Sequence, residues 1–279
     1  MHRTQVVTWE ERWARPVAFA ALASVAFVIG AIVVANGFSA SGDSELLRNV
    51  QDHRSAQMIS SILQAIGIGL LAAPLYYLFR CAKARSERMR GQFIGVVVAA
   101  PLFLAVLAIL SGVSTLHAAS DFVTNEVPHL LAKGVKLNSK HADEIASEAI
   151  DDAPLRGLAA GFGFAGQIGF IFAMVYTCLY AMRVGLLTRF WGSLGIALGA
   201  VSILFFQFAL LWFLYLAALL LGRVPGGKPP AWPTGEPKPW PTPGERAAEA
   251  MENPPEPTEA PDPDPEELED PNDPTGGRQ

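Results

Sequence analysis

The stretch at residues 191–222, WGSLGIALGAVSILFFQFALLWFLYLAALLLG, contains no charged side chain and decides how often the chain crosses a membrane. About 20 apolar residues of helix cross a bilayer core of about 30 Å, whereas 32 residues in one helix would be about 48 Å long. Two helices would have about 16 residues each, slightly short of the usual length. Gln207 lies at the midpoint, without Gly or Pro beside it. We predict two helices, 191–206 and 208–222, with a tight turn near Gln207.

Four other runs of the sequence are long and apolar enough to cross a membrane: 16–35, 59–79, 93–117 and 157–182. None alternates polar and apolar faces at a period of 3.6 residues, as a soluble bundle would. The first run exceeds the 7–15 residues of a secretory signal core, so we expect a retained helix. The predicted fold class is all-α, a polytopic transmembrane helical bundle of about six spans, or five if 191–222 is one helix.

Basic residues indicate which side of the membrane each loop faces. The segment RCAKARSERMR, residues 80–90, has five basic residues and is predicted to be cytoplasmic under the positive-inside rule. The N-terminus, 1–15, is then cytoplasmic too, and the bundle 16–222 has outer segments at 36–58 and 118–156. Both outer segments contain amphipathic stretches, which predict short surface helices that cap the bundle.

The last part of the chain, residues 223–279, has a different composition. It holds 13 acidic and 5 basic residues and 16 of the 21 prolines, whereas residues 1–222 have a net charge of +3. Such a segment cannot bury enough apolar surface to fold, so we predict a disordered, Pro-rich acidic tail on the cytoplasmic side. Trp232 and Trp240 are predicted interfacial anchors within a strap at 224–243, because indole rings favour the membrane–water interface.

The end of the apolar region resembles a group of uncharacterised bacterial multi-pass integral membrane proteins. The resemblance covers about a fifth of the chain and depends on a Gly-Arg, a Pro-Gly-Gly, a Pro-Ala-Trp and a Pro-Trp-Pro after the last helix, matched here by Gly222, Arg223, Pro225, Gly226, Gly227, Pro230, Ala231, Trp232, Pro239, Trp240 and Pro241. It implies a location in the bacterial inner membrane. Relatives have a prolyl turn between the last two helices, where this chain has FFQFALL. The family supplies no activity.

Small residues in the fourth run predict how the helices pack. Membrane helices associate through close approach at small side chains and through hydrogen bonds between polar ones. The fourth run has a four-residue ladder of small residues, and two glutamines lie deep enough to meet at the bundle centre, which together give the candidate packing or path residues Gln64, Gly157, Gly161, Ala165, Gln167 and Gly169. The alternative is that the glycines make room for a substrate path.

His117 and Asp121 form a weak candidate for a polar site at the outer end of the third run. They are four residues apart, so they share a helix face, and a His–Asp pair is able to bind a metal or transfer a proton. The spacing matches no metal or catalytic motif. We therefore expect capping and solvation there, and we assign no cofactor and no catalytic residue.

The sequence does not disclose a reaction or a substrate. The clear spans carry no acid or base at depth, which argues against an ion-driven pump. We therefore expect a non-enzymatic integral membrane protein that scaffolds, senses or modulates an unidentified membrane or cytoplasmic partner, contacts the lipid bilayer and binds no nucleic acid. The alternative is a small-solute permease or channel along the Gly-rich fourth helix.

Overall fold

A computed structural model describes residues 3–36, 40–224 and 227–240, together with Met251. The chain divides into two units, 1–240 and 241–279. Apart from Met251, the second unit lies outside the described residues, and so does the predicted acidic tail beyond Trp240. The described part of the chain is helical and contains no strand, which confirms the all-α class there.

Eleven α-helices are described, and we number them in chain order. Their bounds are α1 Arg3–Asn36, α2 Asp43–Asp52, α3 Arg54–Leu70, α4 Ala72–Arg85, α5 Ile94–Asp121, α6 Val127–Ala132, α7 Lys140–Asp151, α8 Arg156–Arg183, α9 Arg189–Val201, α10 Phe206–Leu220 and α11 Ala231–Thr234. A π-turn at Phe122–Glu126 joins α5 to α6.

Four helical stretches are long and apolar enough to cross a membrane: Val6–Ala35, Arg54–Arg85, Gly91–Ala132 and Arg156–Arg183. They contain the four runs that the sequence predicts. Large apolar side chains cover their outside, and Phe164, for example, is 71% exposed. A water-soluble surface rarely presents so much contiguous apolar area, so the fold indicates a membrane protein.

The second of these stretches is interrupted between α3 and α4. Leu71 adopts a turn, and Pro74 follows three residues later. Because proline has no backbone N–H, Pro74 cannot donate to the carbonyl of Leu70, and the helix breaks at that point.

The apolar stretch 191–222 forms a helical hairpin, but its turn differs from the prediction. α9 ends at Val201 and α10 begins at Phe206, so the turn lies at residues 202–205 and Gln207 is inside α10. The two helices have 13 and 15 residues, or about 20 and 22 Å, which is shorter than a bilayer core. The expected count of six spans is therefore not confirmed.

The outer segments form short helices that cap the bundle, as their amphipathic patterns predict. Leu47 and Val50 of α2 and Ala142 and Ala146 of α7 are buried in one apolar cluster with the outer end of α5. The Ser44 amide donates to Asp143 at 3.0 Å, which joins α2 to α7. Hydrogen bonds from Ser44 lower the pKa of the Asp143 carboxyl below its ordinary value.

Candidate functional site

The hairpin of α9 and α10 closes on itself through aromatic side chains. The rings of Trp191 and Tyr215 are stacked with 3.5 Å between their centroids. Trp212 Nε1 donates to the Trp191 carbonyl at 3.0 Å. Because Trp191 lies near the start of α9 and Tyr215 near the end of α10, the helices are antiparallel. The chain enters and leaves the hairpin at the same end of the bundle.

Glycines bring α9 into close contact with α8. A Cβ added at Gly192 would lie 2.7 Å from the Met182 Cβ, and one at Gly199 would lie 2.6 Å from the Met174 Cβ. The later glycine of α9 contacts the earlier methionine of α8, so these two helices are also antiparallel. Close approach at small residues is the usual way in which membrane helices pack.

The tip of the hairpin lies part-way along α8. Gln167 Nε2 donates to the Ser202 hydroxyl at 2.9 Å, and that hydroxyl donates to the Gly199 carbonyl at 2.7 Å. Gln167 is 11 residues from Arg156 and 16 residues from Arg183, the two ends of α8. At 1.5 Å per residue these are about 17 and 24 Å. The hairpin thus fills only the part of the bundle beside the second half of α8.

Beyond the hairpin tip lies a half-open cavity of about 320 Å³. α1, α3, α5, α8 and α10 all contribute to its wall. Eight of the fifteen lining residues are apolar or glycine, and the others are uncharged polar residues: Gln57, Ser61, Gln64, Ser111, Thr115, Gln167 and Gln207. No lining side chain is ionisable.

Three side-chain amides in this wall, those of Gln57, Gln64 and Gln207, make no hydrogen bond within the described chain. The side chains of Gln64 and Gln207 are both exposed, and neither makes a hydrogen bond to a described residue. An amide in an apolar medium loses several kcal/mol unless it finds a hydrogen-bond partner. The cavity therefore presents unused donors and acceptors at membrane depth.

The other half of the bundle is closed by a packed apolar core. Phe170, Phe213 and Trp212 are fully buried below the cavity, together with Leu71 and Leu75. The ring centroid of Phe170 lies 5.3 Å from that of Phe206, which lines the cavity floor. Packed aromatic side chains therefore border the cavity on this side.

The predicted site residues divide between the cavity and the outer surface of α8. Gln64 and Gln167 both line the cavity, although Gln167 bonds to Ser202 and not to Gln64. The glycine ladder is split, because Gly169 packs against Ala100 whereas a Cβ at the more N-terminal positions would meet nothing within 4 Å. The open positions are Gly157 and Gly161. Together with Ala165 they line a shallow exposed groove.

Sequence reasoning missed four polar residues of the wall. Gln57 and Ser61 are spaced to fall on the same face of α3 as Gln64, and Ser111 and Thr115 are four residues apart on α5. Two hydroxyls donate within their own helices, that of Ser61 to the Gln57 carbonyl at 3.0 Å and that of Thr115 to the Ser111 carbonyl at 2.9 Å. The helical spacing of these polar residues was the signal that would have identified them.

His117 and Asp121 lie apart from the cavity. Both are exposed near the C-terminal end of α5. Within the described ranges, no group of three or more His, Cys, Asp or Glu side chains is arranged to hold a metal ion. Their role stays a prediction.

Residues 227–240 pack against the end of the bundle opposite the cavity. Trp232 Nε1 donates to the Leu186 carbonyl at 2.9 Å, and Trp240 Nε1 donates to the Leu187 carbonyl at 2.9 Å. Trp232 is only 6% exposed. The packed unit therefore extends into the segment assigned to the tail, and a role of either indole at the membrane interface stays a prediction.

One buried ion pair joins three separate segments at this end. The Arg85 guanidinium forms a bidentate pair with the Glu10 carboxylate, and its Nη2 lies 2.8 Å from Glu10 Oε2. Arg85 Nε and Nη2 also donate to the Ala231 carbonyl at 3.2 and 3.0 Å. Arg85 is one of the five basic residues of 80–90, but it is buried and holds α1, α4 and α11 together.

Comparisons with known proteins provide no relative. No family model matches the chain, no curated protein matches it, and no solved structure matches it. The resemblance to uncharacterised bacterial membrane proteins therefore stays a prediction, and the cavity is the basis for a functional proposal.

Proposed function

We propose that this chain is a non-enzymatic integral membrane protein that binds a small molecule in the cavity and signals its presence to a membrane or cytoplasmic partner. The observation that carries the proposal is the polar cavity that Phe206 borders, with the buried side chains of Phe170 and Phe213 packed behind that residue. A wall with unpaired amides favours binding, and a packed floor favours retention of the ligand over its passage.

The proposed arrangement in the bacterial inner membrane has four crossings and one re-entrant hairpin. The basic segment 80–90 supports a cytoplasmic location for the N-terminus and for residues 227–240 by the positive-inside rule. The hairpin α9–α10 then enters from the cytoplasmic side and turns back inside the bundle. Irregular backbone at membrane depth is tolerated where its polar groups find partners. At this turn Ser202 is buried and bonds to Gln167 and Gly199, and the amides of Leu204 and Phe205 donate to the Val201 carbonyl, whereas the side chains at 203–205 are exposed.

The second candidate is a small-solute permease. The adjoining cavity of about 70 Å³, which shares Ser111 and Thr115 with the main one, favours it because it extends the polar lining towards Arg156 at the other end of α8. The packed inner half opposes it, since Phe170 and Phe213 must separate before a solute can pass. The glycine face of α8 does not support a permease, because only Gln167 of that helix lines the cavity.

Two measurements on one preparation distinguish these functions. In sealed vesicles that contain the protein, we expect uptake of glycerol and urea at the same rate as in protein-free vesicles. A single cysteine at Leu107, a lining residue, is expected to react with a water-soluble thiol reagent from the outer face only. Uptake that is faster than in protein-free vesicles, and that the substitution Gln64→Leu abolishes, would establish the permease. Reaction of Leu107→Cys from the inner face would contradict a cavity that is closed on that side.

A further inference from the structure

The hydrogen-bonding groups of the cavity define what it is able to hold. A glutamine amide offers two donors and one acceptor oxygen with two lone pairs, and a hydroxyl offers one donor and an acceptor oxygen. The hydroxyl hydrogens of Ser61 and Thr115 are used within their own helices. The side-chain amides of Gln57, Gln64 and Gln207 retain all their capacity, so the wall presents donors and acceptors together.

The charge of the wall restricts the ligand further. None of the fifteen lining side chains is ionisable, and five of the seven polar ones are on α3 and α5. An ion that enters loses its hydration without gaining a counter-charge, which costs far more than burial of a neutral polar group. The cavity therefore selects against anions and cations.

The size of the cavity fits a small molecule or one polar headgroup. Its volume of about 320 Å³ lies at the lower end of the range of about 300–1,000 Å³ that small-molecule sites occupy. Liquid water takes about 30 Å³ per molecule, so the cavity has room for about ten waters or a ligand of similar volume.

We propose that the cavity binds an uncharged group that carries hydroxyls or a primary amide, held by the side-chain amides of Gln64 and Gln207. This inference rests on the proposed function and specifies its ligand. The group comes either from a free polyol or amide in the outer aqueous phase or from the glycerol hydroxyl of a neutral lipid.

The test uses the full-length chain with Leu107→Cys in nanodiscs and measures how fast a small thiol reagent modifies the cysteine. The probes acetamide, acetate and acetamidine are nearly equal in size and differ in charge. At about ten times its half-saturating concentration, acetamide is expected to slow modification about tenfold by mass action. Acetate and acetamidine are expected to leave the rate unchanged.

Two further arms identify the source of the group. Glycerol in the buffer tests a free polyol, and diacylglycerol in the nanodisc tests a lipid-borne one, each against discs of phosphatidylcholine alone. Protection by either supports the proposal and assigns the source. Gln64→Leu and Gln207→Leu are expected to abolish protection, whereas Gln92→Leu, at an exposed glutamine outside the cavity wall, is expected to keep it.

The outcomes separate the two proposals. A cysteine that reacts from the outer face but is protected by no neutral probe overturns the ligand class and leaves intact the proposal of a cavity that is closed on the inner side. Equal protection by acetate or acetamidine overturns it as well, and so does protection that survives in both leucine variants. A cysteine that never reacts overturns the ligand class and the proposed function together.

Discussion

The Gln167 amide in α8 donates to the Ser202 hydroxyl at the tip of the hairpin, at 2.9 Å. This bond joins the middle of a long helix to the turn between two short ones. It fixes how deeply the hairpin reaches, and the space beyond the tip is the polar cavity. A hairpin whose two helices are each shorter than a bilayer core thereby borders the candidate site.

Removal of this bond is expected to loosen the hairpin tip. Gln167→Leu should lower the free energy of unfolding by about 1 kcal/mol, the usual value of a side-chain hydrogen bond between membrane helices. Thermal unfolding in detergent measures the change. Gln92→Leu makes the same substitution at an exposed glutamine and should leave stability unchanged; equal losses in both variants would show that the bond to Ser202 contributes nothing.

Close packing of α9 against its neighbours gives a sharper prediction. A Cβ at Gly195 would lie 2.5 Å from Cys178 Sγ and 2.6 Å from Trp212 Nε1, so Gly195→Ala should cost about 1–3 kcal/mol by overpacking. Gly161→Ala is the matched control, because its Cβ would meet nothing within 4 Å. Denaturation of the two variants side by side measures the difference, and equal stability would contradict the contact between α9 and α8.

We predict that the buried ion pair of Arg85 and Glu10 helps to hold residues 227–240 against the bundle. Arg85→Met leaves Glu10 buried and unpaired, which typically costs about 3–5 kcal/mol, and it removes both bonds to the Ala231 carbonyl. Limited proteolysis should then cleave within residues 227–240 faster than in the parent chain.

The double variant Glu10→Met and Arg85→Met separates charge from packing. It removes the unpaired carboxylate, so stability should recover in large part, while the strap still lacks its bonds to Arg85. Unchanged cleavage of the strap in Arg85→Met would disprove the proposed tie.

The contact between α2 and α7 should weaken in acid. Because the pKa of Asp143 is lower in the folded chain than its ordinary value of 3.8, the contribution of its bonds with Ser44 is complete above 3.8. That contribution is lost as the pH falls through the folded-state pKa. The exchange rate of α2 and α7 amides, divided by the intrinsic rate at the same pH, should therefore stay constant from about pH 7 to about pH 4 and rise below that. Asp143→Asn should exchange faster at neutral pH and respond less to acid; an identical response would exclude this carboxylate as the cause.

The sequence predicts the four long membrane helices well, because a bilayer-length apolar run allows few other structures in lipid. It also predicts a break within 191–222 but misplaces it at Gln207. No glycine or proline marks the true turn at 202–205, and the bond that fixes it comes from Gln167, 35 residues earlier. Such a turn is set by tertiary contact, which local pattern does not reveal.

The end of the bundle against which residues 227–240 pack shows the same limit. Composition predicts that Arg85 is one more basic residue of a cytoplasmic segment and that Trp232 is an indole at the membrane interface. Both are buried, because the carboxylate of Glu10 pairs with Arg85 and the carbonyl of Leu186 accepts from Trp232. Neither partner lies within 40 residues of the group it binds, so only the fold brings them together.

Cysteine accessibility at the hairpin tip tests the central claim most directly. The native Cys81 and Cys178 are buried, so a single introduced thiol is the one that reacts. With a membrane-impermeant reagent in right-side-out vesicles, we expect Gln207→Cys to react from the outer face through the cavity. Ile203→Cys, at the exposed tip of the hairpin, should react from neither face, because the proposed arrangement surrounds this tip with lipid. If Ile203→Cys instead reacts from the outside as readily as Asp52→Cys in the outer segment, the hairpin crosses the membrane completely and the account is wrong.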